Sequence, residues 1–430
     1  MKGPGWRTWD KADVVDGPGE PMIPLDEARV YVFEHVSPLA AREVAPAEAV
    51  GCVTAAAVTS AATIPPFDNT AMDGFALRAV DTAGANEQPV SLVIVGTVAA
   101  GPGNLPTVGE GEAVRIMTGA PIPPGADAVV MVERTAAEGH LVEVQAEVEA
   151  GNHIRRSGED VQPGDVVIDA GILVTPAHLG VLLSVGCASL PVVPRPRVAV
   201  MSTGDELVAD GSPLRPGQIV DSNRPTLLAL VEAAGFTAVD GGLVADDEQA
   251  IDAALRSAVA ECDAVVTTGG VSMGDFDYVK VVLDRIGDMR WMQVAIKPAK
   301  PLAFGTVDGT PVFGLPGNPV SSMVSFELFA RPALRRMMGH PEPDARMVDA
   351  VADEPLRRRP DGKTHFARVA ASVDDDGVLH VRSAGGQGSH QLSAMAGANA
   401  LAVLTEVDGV EPGDVVRLLL LGELPAHHPT

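Results

Sequence analysis

Residues 263–280 read DAVVTTGGVSMGDFDYVK, an apolar run followed by a glycine-rich turn and a second apolar segment. The run Ala264–Thr268 predicts a buried strand, and Phe276–Ile286 predicts a helix. Glycines allow the backbone of such a turn to approach a ligand closely, and its successive N–H groups form a nest that binds anions. We therefore expect a strand–turn–helix unit whose turn contacts a ligand.

The sequence on either side of this unit repeats the alternation of strand and helix. The other predicted elements are strand Arg197–Met201, helix Asn223–Ala234, strand Thr237–Val244, helix Glu248–Cys262, strands Gln293–Ile296 and Pro311–Gly314, and a long helix Asn318–Met338. Such alternation is typical of a doubly wound α/β sheet, in which ligands bind at the carboxyl ends of the strands. We predict one α/β domain over 193–340, with its site in the loops that follow the strands.

The rest of the chain is predicted to be largely β-structure. The strands expected within 61–160 are Val90–Val98, Ala113–Met117, Ala128–Glu133 and Leu141–Val148. From 341 onward, alternating residues and glycine turns predict a small β-barrel or sandwich. Helices are predicted at Leu25–Ser37 and Pro176–Val185, and residues 1–20 resemble a loose leader.

Composition argues against several classes of function. A net charge of −26 and an aromatic content of 3% argue against a binder of duplex nucleic acid or a base-stacking platform. The three cysteines lie far apart and form no CxxC pair, so we expect neither disulfides nor structural zinc. No segment approaches the roughly 18 apolar residues of a membrane helix, and no signal-peptide core is present. We expect a soluble, cytoplasmic protein.

The glycine-rich turn also carries two carboxylates, Asp275 and Asp277. Hard oxygen ligands of this kind suit Mg²⁺ bound together with a phosphate. The residues that we expect to contact the substrate in this turn are Gly269, Gly270, Ser272 and Gly274. The alternative interpretation is an ordinary strand-to-helix turn in which an aspartate is the N-cap.

Lysine is scarce in this chain, with only six residues, and two of the six flank a proline in Ile296-Lys297-Pro298-Ala299-Lys300-Pro301. Lys297 and Lys300 follow a segment that we predict to be a central strand. Their compact positive charges suit phosphate or another oxyanion, and the prolines restrict the backbone that carries them. The alternative is a solvated pair on the surface.

Three further loops are expected at the same edge of the sheet. The first runs through Gly204, Asp205 and Glu206, and the second contains Asp246 and Asp247, where acidic groups suit a metal or a sugar hydroxyl. For Asp247 we prefer a role as the cap of the following helix. The third loop precedes the longest predicted helix, whose N-terminus attracts anions. Its residues are Pro316, Gly317, Asn318 and Pro319.

Taken in order, these segments resemble the MoeA family, which includes the gephyrin E domain. The matching motifs are PPFDNTAMDGFA, RIMTGAP, IRRSGED, STGDEL, TGGVSMGDFDYVK, IKPAKPLAFG, GLPGNPVSSM and SHQLSAMAGANALAVL. They extend over about residues 60 to 405, and a colinear set of this kind is far more specific than one glycine loop. Without the resemblance, the three motifs before residue 161 would be interpreted only as turns.

The resemblance implies a homodimer of elongated four-domain protomers. The implied domains are a discontinuous first domain (21–60 and 161–192), an inserted β-rich domain (61–160), an α/β molybdopterin-binding domain (193–340) similar to the MogA-like adenylyltransferase, and a C-terminal β-barrel (341–425). The implied active site lies between the α/β domain of one subunit and the inserted domain of its partner. We also expect possible contact with the adenylyltransferase itself.

The implied reaction inserts molybdate into adenylylated molybdopterin, with Mg²⁺-dependent release of AMP. By position, Asp277, Glu206 and Asp246 resemble the family's acidic metal or nucleotide residues, with Asp275 as a further metal ligand. Lys297 and Lys300 would contact phosphate and molybdate, and Pro316 and Pro319 would shape the anion loop. Asp73, Thr118 and Asp160 would come from the partner subunit. Gln293 departs from the family pattern, because some members carry a lysine there.

Two other functions remain open at this point. One is the adenylyltransferase reaction, which needs only the α/β unit, and the other is a gephyrin-like scaffold. The sequence does not distinguish molybdate from tungstate, or a housekeeping enzyme from a specialised paralogue.

Overall fold

The computed structural model describes residues 22–269, 278–405, 408–422 and 424. These residues form two compact units. The first unit comprises the described residues of Met1–Arg42, Gly51–Ala55 and Val192–Thr430. The second comprises Glu43–Val50 and Ala56–Pro191. The finer division into four domains remains a prediction.

The first unit contains a six-stranded mixed sheet. Its strands are β1 (Arg197–Thr203), β2 (Thr237–Val244), β3 (Ala264–Thr268), β4 (Asp288–Gln293), β5 (Pro301–Val307) and β6 (Thr310–Leu315). Their order is β2-β1-β3-β6-β5-β4, and the first four run parallel. β5 is antiparallel to both β6 and β4. Every residue of β3 is buried, which its continuous apolar and threonine sequence permits.

Helices cover both faces of this sheet. They are α1 (Asn223–Ala233), α2 (Glu248–Glu261), α3 (Tyr278–Ile286), α4 (Pro319–Ser325) and α5 (Arg331–Met337). The apolar residues of α1, α4 and α5 belong to one core, and those of α2 and α3 belong to another. Two separate cores are what a doubly wound sheet requires, because each face buries its own apolar surface. The α/β prediction is therefore confirmed.

Three elements of this domain differ from the prediction. Of the predicted strand Gln293–Ile296, only Gln293 belongs to this sheet, as the last residue of β4, and the buried residues that follow instead pair with Ile23 and with the strand beginning at Thr364. β5 was missed, because it follows the proline-rich segment that was interpreted as a loop. The long helix is divided by a π-helical segment, Phe326–Ala330, between α4 and α5.

The C-terminal part of the first unit is a closed five-stranded barrel. Its strands are β7 (Met347–Ala352), β8 (Thr364–Val373), β9 (Leu379–Ser383), β10 (Ala400–Leu404) and β11 (Val415–Leu420). The strands pair in the order β8-β9-β7-β11-β10, and β10 returns to pair with β8. Closure leaves no unpaired edge in this ring. Of the two predicted forms, barrel and sandwich, the barrel is correct.

The outer part of the barrel carries an acid–base cluster centred on His380. Its Nδ1 lies 2.6 Å from Asp353 and its Nε2 lies 3.1 Å from Asp374. Arg382 also pairs with Asp353, at 3.0 Å. The hydrogen bond to Asp353 raises the pKa of His380 above its usual 6.5.

This cluster predicts that the stability of the protein depends on pH through His380. Because the folded-state pKa is raised, the stabilisation is fully present below the unfolded value of 6.5 and is lost as the pH rises through the folded value. We expect His380→Gln to lower the melting temperature below pH 6.5 and to have little effect at clearly alkaline pH. Melting curves of both proteins across this range would test it, and an equal difference at every pH would contradict it.

The second unit contains a six-stranded sheet and one longer helix. The strands, in sheet order, are Ala128–Met131, Gly74–Leu77, Glu112–Ile116, Val90–Val98, Leu141–Val144 and Thr135–Glu138. The β-rich prediction for this region is confirmed. The helix is Pro176–Ser184, and it begins with a capping box between Thr175 and His178. Among the described residues, no helix has both the length and the apolar character needed to cross a bilayer.

Candidate functional site

The loops after β1, β2, β3 and β6 lie along one edge of the α/β sheet. The register shows this directly, because Ser202 is opposite Thr268, Thr203 is opposite Val244 and Thr268 is opposite Leu315. Each of the four strands ends at one of these paired residues. The structure therefore brings together the loops that begin at Gly204, Ala245, Gly269 and Pro316.

The first two of these loops form an acidic corner. The N–H of Asp205 donates to Asp246 Oδ2 at 3.2 Å, and the N–H of Asp246 donates to Asp205 Oδ1 at 3.3 Å. Glu206 folds back over Gly204, which has φ of +147°, so that a Cβ on Gly204 would lie 2.6 Å from the end of the Glu206 side chain. Burial, together with the charges of Asp205 and Glu206, raises the pKa of Asp246.

The acidic corner has the donor chemistry that Mg²⁺ requires. Mg²⁺ is held in proteins by one or two carboxylates together with substrate phosphates and water. Glu206 and Asp246 supply two such carboxylates, and the charges of Asp205 and Glu206 add to the effect of burial in raising the pKa of Asp246. Within the described residues, no group of three or more His, Cys, Asp or Glu residues could hold a metal ion. Asp275 and Asp277, the other predicted ligands, lie outside the described residues.

The glycine turn begins in close contact with its neighbours. Gly269 has φ of +89°, and a Cβ at this position would lie 2.8 Å from the carbonyl oxygen of Thr203. A Cβ on Gly317 would lie 3.8 Å from the Cα of Gly269, so the two loops are adjacent. The predicted contacts Gly270, Ser272 and Gly274 lie outside the described residues.

Asn223, which the sequence analysis did not select, connects these two loops. Its Nδ2 donates to Thr268 Oγ1 at 2.9 Å and to the Gly317 carbonyl at 2.7 Å. A carbonyl only accepts, so the amide nitrogen must face Gly317. Oδ1 of Asn223 is buried and has no hydrogen-bond partner among the residues that the structure describes. An asparagine at the start of a helix is an ordinary local feature, and only the position of Gly317, far along the chain, reveals its role.

The third loop begins α4 as predicted, but it does so without a side-chain cap. Pro319 is the first residue of α4, and the side chain of Asn318 makes no capping hydrogen bond. Ser322 Oγ donates to the Pro316 carbonyl and lies 3.1 Å from Thr268 Oγ1. The loop is therefore held against the end of β3 by hydroxyl groups.

The two predicted lysines directly precede β5 along the chain. Lys300 directly precedes β5, which begins where β6 ends. Lys297 belongs to a short strand, Ile296–Lys297, that pairs with Thr364 and His365 at the start of β8. The strand before them was predicted to be central, which is wrong, because β4 is the last strand in the sheet order. Lys297 is exposed and adjoins the barrel.

A second residue that the sequence analysis missed is Arg368 in β8. It is 0% exposed, and its Nη2 donates to the carbonyls of Gly386 and Gly388 at 2.7 and 3.3 Å. Its Nε and Nη1 are buried and have no hydrogen-bond partner in the described part of the chain, and burial lowers the pKa of the guanidinium. A buried guanidinium with unused N–H groups is a candidate ligand for an oxyanion. One arginine in the apolar strand HFARV was the only signal available in the sequence.

The remaining predicted residues lie in the second unit. Asp73 Oδ1 accepts hydrogen bonds from the N–H and the Oγ1 of Thr118, both at 2.7 Å. The first of these bonds is the main reason why the pKa of Asp73 is lowered. Asp160 is not part of this pair, and its N–H donates to the carbonyl of Ile64 at 3.0 Å. The structure thus pairs two of the three residues, and their contribution to a partner's site remains a prediction.

Comparison with known proteins gives matches along nearly the whole chain. Three family models match in order: the MoeA N-terminal region (domain I and II) over residues 23–186, a probable molybdopterin binding domain over 199–336, and the MoeA C-terminal region (domain IV) over 350–421.

Individual relatives are similar over most of their length. Molybdopterin molybdenumtransferase 2 of Mycobacterium tuberculosis is 43% identical over 366 residues, which cover 84% of this chain and 89% of the relative. Molybdopterin molybdenumtransferase of Haemophilus influenzae is 37% identical over 401 residues, covering 92% and 98%. The solved structure of a molybdopterin biosynthesis MoeA protein from Pyrococcus horikoshii OT3 superposes with a TM-score of 0.76 at 31% identity, covering 93% of this chain and 100% of that one.

Proposed function

The chain belongs to the MoeA family, and from this premise we propose that it is a molybdopterin molybdenumtransferase. In this proposal it inserts molybdenum from molybdate into adenylylated molybdopterin and releases AMP in a Mg²⁺-dependent step. The main observation in support is the shared edge of the α/β sheet, where an acidic corner, a glycine turn and the start of α4 lie side by side. Phosphate, ribose and metal each have suitable groups there.

We assign the protein's own groups to positioning and charge neutralisation. The dithiolene sulfurs of the substrate carry out the metal chemistry, and the protein orients the reacting groups. Glu206 and Asp246, with Asp275 and Asp277, would hold Mg²⁺, which neutralises phosphate charge and favours departure of AMP. Lys297, Lys300 and the buried Arg368 would bind the oxyanion.

The substrate would be held against the glycine turn and the adjacent loop. In this assignment the backbone of Gly269, Gly270 and Gly274 and the hydroxyl of Ser272 contact the phosphates. The loop of Pro316, Gly317, Asn318 and Pro319 closes the other side, and Asn223 fixes the distance between the two loops. These contacts are backbone contacts for the most part, which suits a ligand recognised by its phosphate charge.

We further propose a homodimer that acts in the cytoplasm, with Asp73, Thr118 and Asp160 completing the partner's site. The hydrogen bonds from Thr118 lower the pKa of Asp73, and the ionised carboxylate is available to a metal or a donor group. Contact with the adenylyltransferase that supplies the substrate is part of the same proposal. The adenylyltransferase reaction itself is a weaker alternative, because it needs only the α/β unit and the chain also contains a barrel and a second unit.

The direct test is to incubate the purified chain with adenylylated molybdopterin, Mg²⁺ and either molybdate or tungstate, and to measure AMP. We expect AMP release only when Mg²⁺ and the oxyanion are both present, and we expect Asp277→Ala to abolish it without dissociating the dimer. Adenylylation of molybdopterin from ATP would instead support the alternative reaction. An Asp277→Ala protein with full activity would remove Asp277 from the mechanism.

A further inference from the structure

A cleft of about 240 Å³ opens at one end of the C-terminal barrel. Two of its lining residues, Ala367 of β8 and Leu404 of β10, pack in the barrel core, which places the cleft at the barrel mouth. His365 lies two residues before Ala367 on β8, so its side chain is on the same face of the strand. We call this space the barrel-mouth cleft.

The other charged residues that line the barrel-mouth cleft are all cationic: Lys297, Arg357, Arg358 and Arg359. The whole chain has 31 Lys and Arg against 57 Asp and Glu and is therefore negatively charged. A small cavity lined by four permanent cations has the opposite sign of charge. Such a concentration of like charge costs stability unless a bound anion offsets it. The cleft is therefore electrostatically suited to an anion.

Nearby carboxylates offset only part of this charge. Asp361 accepts a hydrogen bond from His365 Nε2 at 2.9 Å and lies 3.7 Å from Arg358 Nη2. Glu411 pairs with Arg357. In the described part of the chain, no acidic side chain forms an ion pair with Arg359 or Lys297. Among the described residues, the cleft is thus left with a net positive charge.

Two of the side chains that line the cleft, Arg358 and His365, are held rigidly. The side chain of Arg358 is only 4% exposed, and its Nη1 donates to the Leu404 carbonyl at 3.2 Å. His365 is 8% exposed, and burial lowers its pKa; the charges of Arg358 and Lys297 act in the same direction and Asp361 opposes them. Because these groups are already ordered, binding an anion would cost little side-chain entropy.

The barrel-mouth cleft shares Lys297 with the groups assigned to molybdenum insertion, but its three arginines and His365 are not among those groups. Successive side chains of a strand point to opposite faces. His365 and Ala367 lie on one face of β8, and Arg368 lies on the other together with Phe366, which also lines the cleft; the guanidinium of Arg368 contacts Gly386 and Gly388. Arg368 does not line the cleft.

We propose that the barrel-mouth cleft is a second anion site, which binds a tetrahedral dianion of the phosphate type. The anion is either inorganic phosphate or the phosphate group of a small ester. A water molecule takes about 30 Å³ of liquid volume, so the cleft has room for a phosphate together with a small organic group. Arginine forks and an imidazole are suited to hydrogen-bonding such oxygens.

The proposal is tested by titration calorimetry of the full-length chain with inorganic phosphate and, separately, with glycerol 3-phosphate. We expect saturable binding that is weakened about tenfold or more in Arg359→Gln, a loss of about 1.4 kcal/mol. The matched control is Arg417→Gln, an exposed arginine of the same barrel that pairs with Asp349, and it should bind as the wild type does. Tighter binding of glycerol 3-phosphate would identify the ester as the ligand, and equal binding would identify free phosphate.

A second measurement uses His365 as a reporter. A bound dianion favours the imidazolium form, so saturating phosphate should raise the pKa of His365 in NMR titrations of the wild type but not of Arg359→Gln.

Absence of saturable binding, or equal weakening in Arg359→Gln and Arg417→Gln, would overturn the proposal. So would a parallel loss of AMP release in Arg359→Gln, because it would assign the arginine to molybdenum insertion. Failure of AMP release in the wild type would affect the proposed function alone.

Discussion

Asp246→Asn should raise the Mg²⁺ concentration needed for half-maximal AMP release by about 10- to 100-fold, the loss expected when a metal site is weakened. Asp246 is partly buried beside Asp205 and Glu206, and burial with these charges raises its pKa. A divalent cation offsets that repulsion, so the carboxylate favours metal binding. The asparagine keeps the size of the side chain and removes its charge.

The same substitution should stabilise the unliganded protein at neutral pH. A raised folded-state pKa means that the contribution of Asp246 is favourable at low pH and is lost as the pH rises through that value. The ionised carboxylate therefore opposes folding at neutral pH, and its replacement relieves that cost. Lower activity combined with higher stability would distinguish a metal-binding role from a structural one.

Asp247→Asn is the matched control for Asp246→Asn. It removes the same charge one residue away, where the side chain caps α2 by accepting from the N–H of Ala250 at 2.9 Å. Asparagine caps helices about as well as aspartate does, so we expect normal Mg²⁺ dependence and a similar stability. If both variants lost Mg²⁺ dependence equally, the general charge of the edge would explain the effect, and Asp246 would have no specific role.

Gly269→Ala should reduce AMP release by roughly 100-fold, because a displacement of about 1 Å at a substrate-positioning loop has effects of this size. The position has φ of +89°, and the added Cβ would meet the Thr203 carbonyl at 2.8 Å. The Thr203 carbonyl belongs to the backbone, and Thr203 and Gly269 lie at the ends of adjacent strands, so one of the two loops must move. The backbone strain itself should cost about 1–3 kcal/mol of stability.

Gly235→Ala separates strain from displacement. Gly235 has nearly the same φ, +87°, but a Cβ there would meet nothing within 4 Å. We expect it to lose stability from strain and to keep normal AMP release. Urea unfolding and kinetics of the two variants would provide the comparison, and a Gly269→Ala enzyme that lost stability but kept wild-type kinetics would show that this turn does not position substrate.

The parts of the fold that could be predicted from sequence are those with strong local patterns. β3 is a continuous apolar run bounded by Asp263 and Gly269, and α2 has a clear apolar period with an aspartate cap. The errors lie where the pattern is ambiguous. The segment after Gln293 is as apolar as a strand, yet its residues pair with Ile23 and with Thr364, which are distant in sequence.

The same distinction, between local patterns and contacts with distant segments, applies to the candidate site. Glycines and carboxylates directly after predicted strands were found, because the carboxyl ends of parallel strands meet at one edge whatever the loops contain. Asn223 and Arg368 were not found, because each is an ordinary residue in its own segment. Asn223 matters because it donates to the Gly317 carbonyl, which is distant in sequence. Arg368 matters because it is completely buried and, among the described residues, has no carboxylate partner.

By itself, the sequence determined the α/β class, the glycine turn, the acidic loops and the family to which the chain belongs. These features depend on side-chain order and spacing within short segments, which the chain carries whether or not it is folded. Only the tertiary structure decided that β5 reverses direction beside β6, that five distant strands close into a barrel and that Lys297 adjoins His365. Pairing between remote segments is fixed by the packing of the whole core, and no local pattern encodes it.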